Sequence, residues 1–217
     1  NGTEEWIVYL PERLNDMEKL MDNNNAEHII GVDGAPTVWI VDNDKDGIIE
    51  PASPNFDKVY LFTGMRRGGR DIYAFDVTPG SVLSSPTATG GIVPKFLWRI
   101  KGGVAGDYAG LGQTWSTPKL ATIRVKCTTG DPTCDDSNAG TLDSKKKTVL
   151  IFGGGYDPGT DHVFPTGADA MGNGVYIVDP LDGSLVWRAG GTGSGAPKIV
   201  PEMKYAIPSD VAMLDSN

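Results

Sequence analysis

Histidine and cysteine are almost missing from this chain, with two of each in 217 residues. His28 and His162 stand apart from any Cys, Asp or Ser that would complete a nucleophilic triad, and Cys127 and Cys134 would need two further ligands to hold a zinc ion. Basic charge is also short: 19 Lys and Arg face 28 Asp and Glu, for a net charge of −9. Phosphate contacts need a cationic face, so this balance argues against DNA or RNA as a partner. No apolar run approaches the roughly 18 residues that a membrane span requires, and the opening NGTEEWIVYL has neither the basic nor the apolar region of a secretion signal. Long helices are scarce as well, because 29 glycines and 15 prolines interrupt the chain.

What is present reads as strands and tight turns. One helix is expected near the N-terminus, started by Pro11, with Leu14, Met17, Leu20 and Met21 on one face and the methionines filling gaps in the core. A short strand is expected ahead of it. Beyond that point short apolar runs alternate with Gly, Pro, Asp and Asn. Two groups resemble each other: KVYLFTGMRRGGRDIYAFDVTPG followed by FLWRI, and TVLIFGGGYDPG followed by GVYIVDPLDGSLVWRAG. Tyr73, Phe75 and Asp76 correspond to Tyr176, Val178 and Asp179, and Trp98 to Trp187. A strand marked by a proline precedes each group and recurs at the end, at Pro36, Pro118 and Pro208.

Four antiparallel strands repeated side by side predict β-propeller blades of the quinoprotein-like kind, with a sandwich or open solenoid as the other arrangements such repetition allows. The expected organisation is a strand and short helix over 1–30, a blade with an acidic loop over 31–110, and a second blade with a cysteine-containing loop over 111–200. Residues 201–217 would begin a further blade. Two blades do not close a ring, so the prediction is an all-β, partial propeller. Trp98 and Trp187 are expected to pack between blades.

The acidic loop DNDKDGIIEP carries the most specific chemistry. Asp42, Asp44, Asp46 and Glu50 occupy the first, third, fifth and ninth positions of a D-x-D-x-D-G-x-x-E spacing, with Gly47 at the sharp turn. This is the first part of an EF-hand calcium loop, in which alternate carboxylates converge, the carbonyl of the seventh residue, Ile48, adds a ligand, and hard oxygen donors suit a hard cation. Four converging carboxylates repel one another unless a cation neutralises them. The twelfth position is Ser53 in place of the bidentate Glu, so the loop stands alone, with Asp57 available to complete the shell. Asp215 and Asn217 match the first two ligand positions of a second such loop. The two cysteines, separated by six residues that include a Gly-Asp-Pro turn, favour a local disulfide and an oxidising compartment.

The run DGAPTVWIVDNDKDGIIEP, then YLFTGMRRGGRDIYAFDVT, LIFGGGYD, GNGVYIVDPLDGSLVW and YAIPSDVAMLD resembles, in that order, the C-terminal propeller of the PilY-type (PilC/PilY) type IV pilus biogenesis factors and tip adhesins. The resemblance covers nearly the whole chain. It implies a non-enzymatic bacterial protein at the pilus tip or cell surface, reached through the periplasm. Such a protein works with minor pilins, other tip components and the remainder of its own polypeptide in pilus extension, retraction, twitching motility and attachment. It also implies a Ca2+ site formed by Asp42, Asp44, Asp46, the Ile48 carbonyl and Glu50. Three other readings share some of these features. They are an integrin-like adhesion propeller with calcium loops, a quinoprotein dehydrogenase, and an outer-membrane assembly scaffold. Arg66, Arg67 and Arg70 stand out in an acidic chain; they are expected to tie neighbouring acids such as Asp71 or Asp76, or to meet an acidic partner.

Overall fold

The computed structural model describes residues 6–22, 29–79, 94–127, 144–160 and 167–214. Most of its regular structure is β-sheet, with one short α-helix. Strands β1 (Thr37–Val41), β2 (Lys58–Gly64), β3 (Ile72–Asp76) and β4 (Lys95–Ile100) form an antiparallel sheet in sequence order. A second sheet follows, with β5 (Lys119–Lys126), β6 (Ser144–Gly153), β7 (Gly174–Val178) and β8 (Leu185–Gly190) antiparallel and the two-residue β9 (Lys198–Ile199) added in parallel. Neither sheet closes on itself.

The two sheets repeat one another residue by residue. Tyr73 lies opposite Arg99 and Ala74 opposite Trp98; in the second sheet Tyr176 lies opposite Arg188 and Ile177 opposite Trp187. Both pairings slip at the next residue, between Ala74 and Phe75 and between Ile177 and Val178. The equivalent acids are held alike, Asp76 by Lys58 at 3.7 Å and Asp179 by Lys147 at 2.5 Å. A repeated bulge at one register is a designed bend of the strand.

Because strand residues alternate between faces, this register dictates the core. Leu150, Phe152, Tyr176 and Val178 of the second sheet pack against Phe62, Ile72, Ala74, Trp98 and Ile100 of the first. Their counterparts in the first sheet, Leu61, Tyr73 and Phe75, point the other way and form a separate cluster with Met65 and Val77. The stacking is therefore head to tail: one face of each sheet receives the opposite face of its neighbour. Specific bonds lock the joint. Trp98 donates its indole N–H to the Pro180 carbonyl (2.9 Å), Tyr108 donates to the Gly183 carbonyl (2.6 Å), and Thr37 donates to the Pro118 carbonyl (2.6 Å). The third proline-marked segment, expected as the first strand of a further blade, forms no strand over the described residues 201–214; it is tied back by Asp210, which accepts from the Thr117 N–H at 2.7 Å and pairs with Lys119 at 3.0 Å.

The N-terminal segment departs from expectation. Residues 6–10 are not a strand; Pro11–Arg13 makes a 3-10 turn that leads into helix α1 (Leu14–Asp22). That helix buries none of its residues, and Met17 and Met21 are 45% and 83% exposed, so the methionines fill no core gap. Polar ties hold the preceding segment to the outer face of the first sheet: Glu12 pairs with Arg99 (3.1 Å) and accepts from Tyr73, and Arg99 pairs with Asp71 (2.7 Å). Trp98 is 7% exposed as predicted for inter-sheet packing, whereas Trp187 is 38% exposed because no third sheet covers it among the described residues. Cys127 is disulfide-bonded, and the chain's other cysteine, Cys134, lies outside the described residues, as do His28, His162, Asp215 and Asn217.

Candidate metal centre

The acidic loop connects β1 to β2. Its first half is built from side chains that fold back on their own backbone. Asp42 accepts from the Lys45 N–H (2.7 Å) and the Gly47 N–H (2.9 Å), Asp44 from the Asp46 N–H (3.3 Å), and Asp46 from the Ile48 N–H (2.7 Å). Short acidic side chains form such turns readily. The backbone is bent sharply, with positive φ at Lys45 (63°), Gly47 (85°) and Phe56 (55°). For Lys45 and Phe56 that conformation is strained.

Asp57 closes the loop. It is fully buried, and its two oxygens accept from the Asn43 N–H and the Glu50 N–H, each at 2.9 Å. One carboxylate at the start of β2 thus pins both the entry and the exit of the acidic stretch. Asn55, which sequence reasoning missed, sits between two of the acids and donates to Asp44 (2.8 Å) and Glu50 (2.5 Å). Its backbone carbonyl in turn receives the Asn43 side chain at 2.7 Å. No spacing rule covers it, because it approaches from the far arm of the loop.

The fold gathers the predicted acids into two overlapping groups. Asp42, Asp44 and Asp57 form one, and Asp44, Asp46 and Glu50 the other; within each, one oxygen per residue lies within 4.8 Å of the rest. Asp44 belongs to both. Ile48 is 61% exposed. Electrostatics differ between neighbours. Hydrogen bonding from the Gly47 N–H holds the Asp42 carboxyl below its ordinary range, whereas partial desolvation, reinforced by the charges of Asp46 and Asp42, pushes Asp44 upward. All donors are oxygens, and the amide of Asn55 lies between two carboxylates in the position of a compensating positive group. That set fits a hard divalent cation.

The predicted arginine ties are corrected. Asp71 is held by Arg99 and Asp76 by Lys58, while Arg67 reaches back to Asp33 at 2.8 Å. The reason is register: Arg99 lies opposite Tyr73, beside Asp71, while the arginine turn folds toward residues 31–33 and 114. No family model, curated protein or solved structure matches the chain.

Proposed function

We propose that this chain is a calcium-binding part of a β-propeller that serves type IV pilus assembly at the bacterial cell surface. One observation carries the reading: two overlapping groups of carboxylates, Asp42 with Asp44 and Asp57 and Asp44 with Asp46 and Glu50, lie in a loop whose backbone is already pinned by Asp57, so a cation meets prepared oxygens. The repeated sheet with its head-to-tail face stacking supports the propeller, since each added sheet leaves another face to cover until a ring closes. The disulfide at Cys127 fits an extracytoplasmic location.

In this reading Asp42, Asp44, Asp46, Glu50 and the Ile48 carbonyl hold the ion, Asp57 holds the loop, and Asn55 yields its place between Asp44 and Glu50. Bound calcium would neutralise the carboxylates and stiffen the loop. The stiffened loop presents a fixed surface to minor pilins or other tip components, and the ion favours that state only by the difference in its affinity for ordered and loosened loops. The protein then acts without catalysis, as a calcium-permissive element in pilus extension and retraction.

Thermal melting against calcium tests this. A ligand at 100 times its dissociation constant stabilises by about 2.7 kcal/mol, so the melting temperature should climb as calcium rises to millimolar levels. Asp44→Ala and Asp46→Ala should stay folded and lose that climb, and cells carrying either change in the full-length protein should lose calcium-dependent twitching. A wild-type melting curve indifferent to millimolar calcium ends the proposal.

A further inference from the structure

Arg66 occupies a position that the second repeat gives to glycine. Counting from the equivalent residues Gly64 and Gly153, at the ends of β2 and β6, Arg66 matches Gly155. Both adopt a left-handed backbone, with φ of 47° and 92°. Both donate the backbone N–H to the segment that follows, Arg66 to the Thr114 carbonyl (3.2 Å) and Gly155 to the Ile207 carbonyl (3.0 Å). Glycine meets that conformation without strain and arginine does not. The first repeat therefore keeps a costly side chain where the architecture asks for none.

That side chain is held in place but not used. Its guanidinium lies over the Trp115 ring, 4.9 Å from the centroid, and Trp115 packs in turn against Tyr156 at 5.7 Å. Gln113 fixes the platform by accepting from the Trp115 indole (3.2 Å) and donating to the Arg67 carbonyl (3.4 Å). The Nε atom of Arg66 is buried without a hydrogen-bond partner. The nearby acid, Asp33, is bonded to Arg67, and Arg66 acts on it only through space. In a chain of net charge −9, this arginine pairs with no carboxylate among the described residues.

We propose that Arg66, laid on Trp115, is a prepositioned binding point for a carboxylate of an acidic polypeptide partner. Nε is shielded while the residue as a whole is half-buried, and the terminal Nη pair is the fork that would match the two oxygens of a carboxylate. The adjacent cation Arg67 is already bonded to Asp33, so Arg66 offers a single guanidinium, which suits a singly charged carboxylate better than a phosphate. Backbone strain retained at one point and stacking that restricts a mobile side chain both belong to preorganised recognition. The inference is independent of the calcium site.

The test uses the whole chain and a short fluorescent oligoglutamate peptide at low ionic strength, read by anisotropy. The net negative charge of the protein opposes such a probe, so saturable binding reports a local site. Arg66→Gly should weaken binding at least tenfold while melting at the same or a higher temperature, since it relieves strain. Arg66→Lys should weaken it several-fold by losing the planar fork, and it covers the case in which the glycine variant folds poorly. Oligoglutamine should not bind. Wild-type affinity in either Arg66 variant, or absence of binding by the wild type, overturns the proposal. Displacement of the peptide by equimolar inorganic phosphate overturns the carboxylate assignment.

Discussion

Gly183 offers a sharp test of the joint between the sheets. It lies in the β7–β8 turn with φ of 73°, and a Cβ added there would sit 2.8 and 2.9 Å from two atoms of the Trp98 ring. Carbon atoms rest about 3.5–4.0 Å apart, so alanine would drive the indole out of a pocket in which it stacks on Phe62 and bonds the Pro180 carbonyl. Left-handed backbone costs alanine about 1 kcal/mol, and wedging a packed interior adds about 1–3 kcal/mol. Gly193 is the internal control: its φ is 82°, but an added Cβ meets nothing within 4 Å, so Gly193→Ala carries the backbone cost alone. In a chain of this size each kcal/mol shifts the melting temperature by about 2–4 °C. Gly193→Ala should thus melt about 2–4 °C lower and Gly183→Ala about 5–15 °C lower, followed by circular dichroism and checked by urea midpoints. Equal losses for the two variants would mean that the turn does not clasp Trp98, and the head-to-tail packing would lose its main support.

Two further predictions concern the brace and the N-terminal tie. Asp57→Asn sets an amide N–H against one of two backbone N–H donors, so stability measured in chelator should fall by about 1–3 kcal/mol; an unchanged stability without metal would refute the brace. Burial raises the Glu12 carboxyl, but the Tyr73 hydroxyl and Arg99 more than offset this and leave it below its ordinary 4.5. A depressed carboxyl contributes stability that is present above 4.5 and lost as the pH falls through the lowered value. For a tie this exposed the contribution is under about 1 kcal/mol. Hydrogen-exchange protection over residues 10–13, taken relative to the intrinsic rate at each pH, should therefore fall in acid, and Glu12→Gln should remove that part of the response. Identical pH profiles for the variant and wild type would refute the assignment.

Local features were legible before any coordinates. The Tyr, Asp and Trp spacing of the two groups placed Tyr73 with Tyr176 and Trp98 with Trp187, and pairing, bulge and lysine ties repeat at those residues. The acids of the loop were legible too, because alternation around Gly47 turns successive carboxylates to one side within a few residues of chain. Asn55 was not, since it arrives from the opposite arm and its place depends on Asp57 drawing residues 43 and 50 together.

By itself the sequence determined strands, turns, the register of the repeat and the gathering of like charge, all of which arise from neighbours along the backbone. Tertiary structure alone decided which tryptophan is buried, because an apolar stripe specifies that a face needs cover and not what covers it: Trp98 meets the second sheet, and Trp187 meets nothing equivalent among the described residues. It likewise decided that the methionines of α1 stay exposed and that Asp71 belongs to Arg99. Side chains choose partners by distance in space, and those distances exist only once the sheets have stacked.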